Sequence, residues 1–244
     1  MTKKYLSLFF LTSIIALGEV NIYGPGGPAP VFKEISEKIM SEKKEKINLK
    51  VGPTGSWIEQ AKNNGDLIFS GSEFMMSDFT NKLKDIDKSS IRAIKFREAG
   101  ILVRDKNPKK LKTINDLAKE NVNVIVVDGA GQISLWEDMV GKTKDISLIN
   151  KVRKNIKYFA PNTALAVKRW EEDESVDAVI IWKPWEKRFK NSNFVELDDE
   201  NKIFRPALVA LTEQGNKNPE AKRMYNEILS SKYDDVWKKY GWED

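Results

Sequence analysis

The chain has 244 residues, 41% of them apolar, and a formal charge of +5. That length suits one large domain or two small lobes with real cores, and the modest, interspersed charge gives no support for nucleic-acid binding. Cysteine and histidine are both absent, which excludes a disulfide framework, a lipid-modified cysteine, Ser-His and Cys-His nucleophile pairs and the commonest zinc ligand.

Residues 1–18 read as a secretory signal. Lys3 and Lys4 form a basic start, Leu6 to Leu17 is an apolar run, and Ala16 and Gly18 are small residues before Glu19. The run falls short of the ~20 residues that a membrane span needs. The mature protein is therefore expected to begin near Glu19 and to work in the periplasm. Glu19–Tyr23 then reads as a strand. Val31, Phe32, Ile35 and Ile39 mark a helix entered near Pro30. Ile47–Val51 and Asp66–Phe69 read as strands, with a short helix at Trp57–Lys62 between them and another helix opening near Ser72. Ile91–Phe96 and Ala99–Val103 read as two extended segments. Thr113–Lys119 reads as a helix with a shortened capping box from Thr113 and Asp116. Val122–Val127 and Val176–Ile181 are β-branched runs of the kind buried on both faces. Helices are expected at 134–140, 146–152 and 164–172, a late strand at 207–212, and closing helices at 219–230 and 234–240.

This alternation predicts an α/β fold with a mixed, mostly parallel sheet flanked by helices. Two polar stretches, Asp105–Lys110 and Asn191–Lys202, mark boundaries. They predict that residues 19–103 with 203–244 form one lobe and residues 104–202 a second, with two crossings between them.

Five strand-to-helix loops carry the chemistry. Tyr23-Gly-Pro-Gly-Gly-Pro-Ala-Pro30 offers Gly26, Gly27 and Pro28 before a helix; glycine permits close backbone approach, although the prolines remove donors. Gly52-Pro-Thr-Gly-Ser-Trp57 supplies Thr54, Gly55, Ser56 and an apolar wall, Trp57; Ser56 fits a helix cap equally well. Phe69-Ser-Gly-Ser-Glu73 supplies the hydroxyls of Ser70 and Ser72. Asp128-Gly-Ala-Gly131 supplies Gly129, Ala130 and Gly131, and Ala160-Pro-Asn-Thr163 supplies Asn162 and Thr163, each also a candidate cap. No loop carries the Gly-Lys-Ser/Thr of a P-loop. In an open α/β sheet such loops converge at the carboxyl ends of the strands, where ligands bind. Arg97, beside Glu98, reads as a solvated ion pair or as a charge for an anionic ligand. Trp182 reads as core packing or as a cleft wall.

Several segments together carry a family resemblance. They are Val20-Asn-Ile-Tyr-Gly-Pro-Gly-Gly-Pro28, Phe96-Arg-Glu-Ala-Gly-Ile-Leu-Val103 with Asn107-Pro108, Asp128-Gly-Ala-Gly131, Trp136-Glu-Asp-Met-Val-Gly141, Phe159-Ala-Pro-Asn162 and Lys239-Tyr-Gly-Trp242. In this order the chain resembles the type 2 periplasmic solute-binding proteins, the sulfate and molybdate branch in particular, and more closely the accessory colonization factor AcfC family. The resemblance implies two lobes joined by a hinge, a ligand enclosed between them, no catalysis, no cofactor and no metal. It further implies a monomer that hands its ligand to a membrane transporter permease. A sulfate-like oxyanion held by neutral donors, among them Thr54, Ser56, Ser70 and Ser72, is the leading expectation; Arg97 leaves room for a carboxylate. Two other readings stand beside it: an exported hydrolase or lyase using Glu73 with Asp128, and a colonization factor that adheres to a surface.

Overall fold

The computed structural model describes residues 18–129 and 131–244. Residues 1–17, which hold nearly all of the expected signal, and Ala130 lie outside it. No helix among the described residues is long and apolar enough to cross a membrane.

The elements follow in the order β1 (Glu19–Gly24), α1 (Ala29–Lys43), β2 (Lys46–Val51), α2 (Ile58–Asn64), β3 (Leu67–Ser70), α3 (Glu73–Lys82), β4 (Arg92–Arg104), β5 (Val124–Val127), α4 (Leu135–Gly141), α5 (Ile146–Asn155), β6 (Ile156–Ala160), α6 (Thr163–Glu172), β7 (Ala178–Trp182), β8 (Ser192–Val195), β9 (Phe204–Leu211), α7 (Pro219–Leu229) and α8 (Asp234–Lys239). Local chemistry sets many of the boundaries. Ser72, Asp145, Asn162 and Asn218 each accept a hydrogen bond from a first-turn N–H of α3, α5, α6 and α7. Helix α1 has no side-chain cap and carries a proline in its first turn instead.

The strands join in the order β2-β1-β3-β9-β4-β7-β5-β6, with β8 on β4. Parallel pairing joins β1 to β2 and β3, and β5 to β6 and β7. Antiparallel pairing runs through the middle, where β9 and β4 meet. Strand β4 belongs to both halves. Its residues 92–98 pair with β9, and residues 99–104 pair with β7 and β8. The cores divide at the same place. Val20, Phe32, Ile35, Phe69, Val209 and Trp237 pack on one side, and Ile101, Val124, Trp136, Val152 and Ile180 on the other.

Three features depart from the sequence reading. The extended segments 91–96 and 99–103 are one strand, because Arg97 and Glu98 stay paired with Arg205 and Phe204 of β9. Strands β6 and β8 are additional, and β8 lies inside the polar stretch 191–202. The 113–119 helix is a 3-10 turn over Ile114–Ala118, opened by the Thr113–Asp116 capping box.

Candidate anion-binding cleft

A cavity of about 920 Å³ opens at the carboxyl ends of the strands. Pro25 to Pro28 follow β1, Gly52 to Thr54 follow β2, and Gly71 follows β3. Met75 comes from α3, Arg97 from β4, and Asn162, Thr163, Ala164 and Val167 from the start of α6. Trp185 and Arg188 come from the 3-10 turn Lys183–Arg188 after β7. Both halves of the sheet therefore contribute walls.

Arg97 is the centre of this cavity chemically. It sits at the last turns of the β4–β9 ladder, only 3% exposed, and Nε and Nη2 are buried without a hydrogen-bond partner among the described residues. Its neighbour Glu98 makes no ion pair with it; alternation along the strand sends the two side chains to opposite faces. Aromatic rings hold the guanidinium instead. Cζ lies 4.6 Å from the centre of the Trp182 ring and 5.6 Å from that of Trp242. Burial, with a smaller contribution from Arg205, pushes the Arg97 pKa down to about 9. The group is still charged at neutral pH. An unpaired buried cation is costly, on the order of several kcal/mol, until an anion joins it.

Backbone surrounds this charge. A Cβ placed on Gly27, Gly71 or Gly131 would lie 3.6, 3.6 and 3.9 Å from guanidinium nitrogens. Three strand-to-helix loops, from both halves, thus converge on Arg97, with the Met75 sulfur also beside Gly131. Gly131 has φ +80°, the left-handed region that favours glycine. The ten-residue helix α6 starts at the cavity wall, so the positive end of its dipole faces the same space. Gln132 Nε2 donates to Thr163 Oγ1 at 2.8 Å and ties two of the second half's loops together.

Of the residues expected from sequence, Gly26, Gly27, Pro28, Thr54, Arg97, Asn162 and Thr163 line the cavity. Gly131 lies beside Arg97 and Met75, just behind the wall. The others stand further back. Ser56 Oγ is exposed, donates to the Pro53 carbonyl and caps neither helix nearby. Trp57 is buried, donates to the Gly52 carbonyl and meets Tyr23 and Phe79, so it braces the loop from below. Ser70 donates to the Ser72 carbonyl, and Ser72 caps α3. Gly55 does not line the cavity; Gly129 lies where a Cβ would come within 2.2 Å of the Pro161 carbonyl oxygen, so its role is loop packing. Trp182 is buried behind Arg97 rather than in the wall. Glu73 and Asp128, the carboxylates of the enzyme reading, do not line the cavity.

The sequence reading missed Gly71, Met75, Trp185 and Arg188. Gly71 stands between the two serines of a loop already singled out. Trp185 is the second tryptophan of the Trp-Lys-Pro-Trp segment, lifted into the cavity by the 3-10 turn. On the opposite face of the crossover, carboxylate oxygens of Glu98, Glu196 and Glu243 lie within 4.8 Å of one another. Lys183 Nζ fills that cluster, donating to Glu196 at 2.6 Å and Glu243 at 2.8 Å.

Among curated proteins none matches the chain. Among solved structures, PEB3 with L-phospholactate bound is 33% identical; the match covers 92% of this chain and 99% of that one at a TM-score of 0.82. Peb3 from Campylobacter jejuni matches to the same extent. The sulfate-binding protein SubI from Mycobacterium tuberculosis is 16% identical, over 92% of this chain and 86% of that one, at a TM-score of 0.71, a likeness of fold alone. The model of the family described as bacterial extracellular solute-binding protein matches residues 20–243. With nearly its whole length matched, the chain belongs to the bacterial extracellular solute-binding proteins.

Proposed function

We propose that this protein captures a small organic anion in the cleft around Arg97 and delivers it, from the periplasm, to a membrane transporter. One observation carries the reading: a buried guanidinium, without a counter-charge among the described residues, lies at the cavity wall, ringed by glycine backbone. A carboxylate or phosphate group placed there would accept charge-assisted hydrogen bonds, each worth roughly 1.5–3 kcal/mol. A sulfate-like oxyanion would use the same guanidinium, but it would leave much of the roughly 920 Å³ to water. A larger acid would also meet Trp185, Val167 and the exposed Arg188. The L-phospholactate bound to PEB3, a protein one-third identical, supports a phosphorylated or carboxylated small acid over a bare oxyanion. The finer kinship to the AcfC family rests on the segments quoted from the sequence.

The two halves act as lobes that close on the ligand in this reading, the chain crossing between them within β4 and again near Ile203. The separate cores and the shared strand β4 support a hinge there, the division of pairing and packing falling between Glu98 and Ala99. Export through the N-terminal signal, action as a monomer and the absence of catalysis belong to the same proposal.

A thermal-shift screen tests it. L-Phospholactate, sulfate, molybdate, phosphate and common di- and tricarboxylates are compared; a ligand at a hundredfold excess over Kd should add about 2.7 kcal/mol. Gly71→Ala then reads the site itself. A methyl there meets only ordinary contacts at 3.6 Å, so stability should hold, but it occupies the space beside Arg97. Affinity should fall about tenfold, the loss of one hydrogen bond's worth. Unchanged affinity for the ligand found would place the anion elsewhere.

A further inference from the structure

The last four residues, Gly241–Asp244, run along the back of Arg97. The Glu243 and Phe96 backbones exchange two hydrogen bonds, Phe96 N to Glu243 O at 2.7 Å and Glu243 N to Phe96 O at 2.8 Å. That bridge fixes the strand one residue before Arg97. Trp242 is fully buried, and its ring lies beside the guanidinium on the side of the first half, as Trp182 does on the side of the second. Trp242 in turn meets the Trp237 ring edge-on at 5.6 Å, Trp237 meets Phe32 at 5.9 Å, and Phe32 stacks on Phe69 at 3.9 Å. A chain of aromatic rings therefore ends on the cleft arginine. Glu243 also accepts from Lys183, the first residue of the turn that carries Trp185 and Arg188 into the cavity. Asp244 pairs with Lys95.

We propose that this C-terminal segment positions the anion site: Trp242, clamped by the Phe96–Glu243 bridge, holds the Arg97 guanidinium in place while leaving its charge free for a ligand. The inference rests on the anion reading of the cleft. Its physical basis is the kind of partner chosen. A carboxylate would orient an arginine equally well but would neutralise it and saturate its donors. An aromatic face attracts the cation through the ring quadrupole and leaves the N–H edges unused. Holding the side chain before the ligand arrives removes an ordering cost from binding. Glu243 adds a link from the same segment to the turn of the opposite half, so the guanidinium and the far wall of the cavity share one support.

The competing account is that Trp242 merely fills the core. Trp237 separates the two, because it is as fully buried, belongs to the same aromatic chain and does not touch Arg97. Trp242→Leu, Trp242→Phe and Trp237→Leu are made in the mature protein. Binding of L-phospholactate and of sulfate is measured by calorimetry, and melting temperature alongside. Trp242→Leu should weaken binding of the probe that wild type takes by about tenfold, Trp242→Phe should restore it to within about threefold, and Trp237→Leu should stay within about twofold despite an equal loss of melting temperature. Should Trp242→Leu not fold, Trp242→Phe against Trp237→Phe carries the test, with a loss of affinity expected only in the former. Affinity falling alike at both positions, or at neither, overturns the proposal. If wild type binds neither, the tightest ligand of the thermal-shift screen is the probe, and a wild type that binds no anion of that screen overturns the anion reading itself, a distinct result.

Discussion

Arg97 and Lys183 are two cations on opposite faces of the same crossover, and the structure treats them in opposite ways. Lys183 is surrounded by carboxylates. Burial opposes its charge, but Glu196 and Glu243 outweigh burial and raise its pKa. Arg97 is more deeply buried, has aromatic rings and another arginine nearby but no carboxylate partner among the described residues, and its pKa is pushed down to about 9. The fold could satisfy a cation here and did so at Lys183, the first residue of the turn that lines the cavity's far wall. The missing counter-charge at Arg97 is therefore a property of that place, and it is what a ligand would supply.

The largest test of the contrast removes the free cation. Arg97→Met should weaken binding of the cognate anion by roughly a hundredfold or more while leaving thermal stability equal or higher, because an unpaired buried charge is lost with it. A parallel fall in stability would mean that Arg97 is paired after all. Alkaline titration sharpens the same point. Free Arg97 loses its proton above about pH 9, so affinity should fall by up to tenfold per pH unit beyond that value, in calorimetric titrations from pH 7 to 10.5. Lys183 has a raised folded pKa, so its stabilising charge is fully present below the ordinary lysine range and is lost only as pH rises through the higher folded value. The crossover should therefore outlast the site as pH climbs.

Removing the satisfied cation should have the reverse outcome. Lys183→Met leaves Glu98, Glu196 and Glu243 together with Lys202 as the remaining nearby cation, and urea unfolding should show a loss of about 1–3 kcal/mol with a smaller change in affinity than at Arg97. The smallest effect is expected at Glu98. Burial raises its pKa, with Lys202 opposing. The penalty of a raised carboxylate is absent below the ordinary carboxylate range, grows as pH rises from that range to the higher folded value, and is constant above it. Glu98→Gln should stabilise the protein by about 0.5–1 kcal/mol at pH 7 and by nothing at pH 4.

Much of this arrangement is legible in the sequence, for identifiable reasons. Runs such as Val124–Val127 announce buried strands, and the glycine and proline loops after β1, β2 and β3 mark the mouth of the cavity. Arg97 and Glu98 are harder. Two adjacent charges look like a solvated turn, and their burial depends on β9 and on the C-terminal segment, both more than a hundred residues away. Hydroxyls are ambiguous in another way. Ser56, Ser70 and Ser72 spend their hydrogen bonds on their own loops, and the residue types that brace a loop are the same ones that would grip an oxyanion. Strand β8, Ser-Asn-Phe-Val, has no alternation to reveal it and is held by pairing with β4 and by the packing of Phe194 and Val195 on the cores.

The continuous strand β4 also dictates an order of assembly. The Ala99 N–H donates to the Ile203 carbonyl at 2.9 Å, so the intervening segment begins and ends at one point and holds a core of its own. The first half is interrupted: β1, β2 and β3 wait for β9, α7 and α8, which follow the inner segment along the chain. When the chain emerges from its N-terminal end the inner segment can collapse first, and the outer one closes only when β9, α7 and α8 arrive. Late mutations near the carboxyl terminus should therefore slow acquisition of the native state more than their effect on equilibrium stability alone implies.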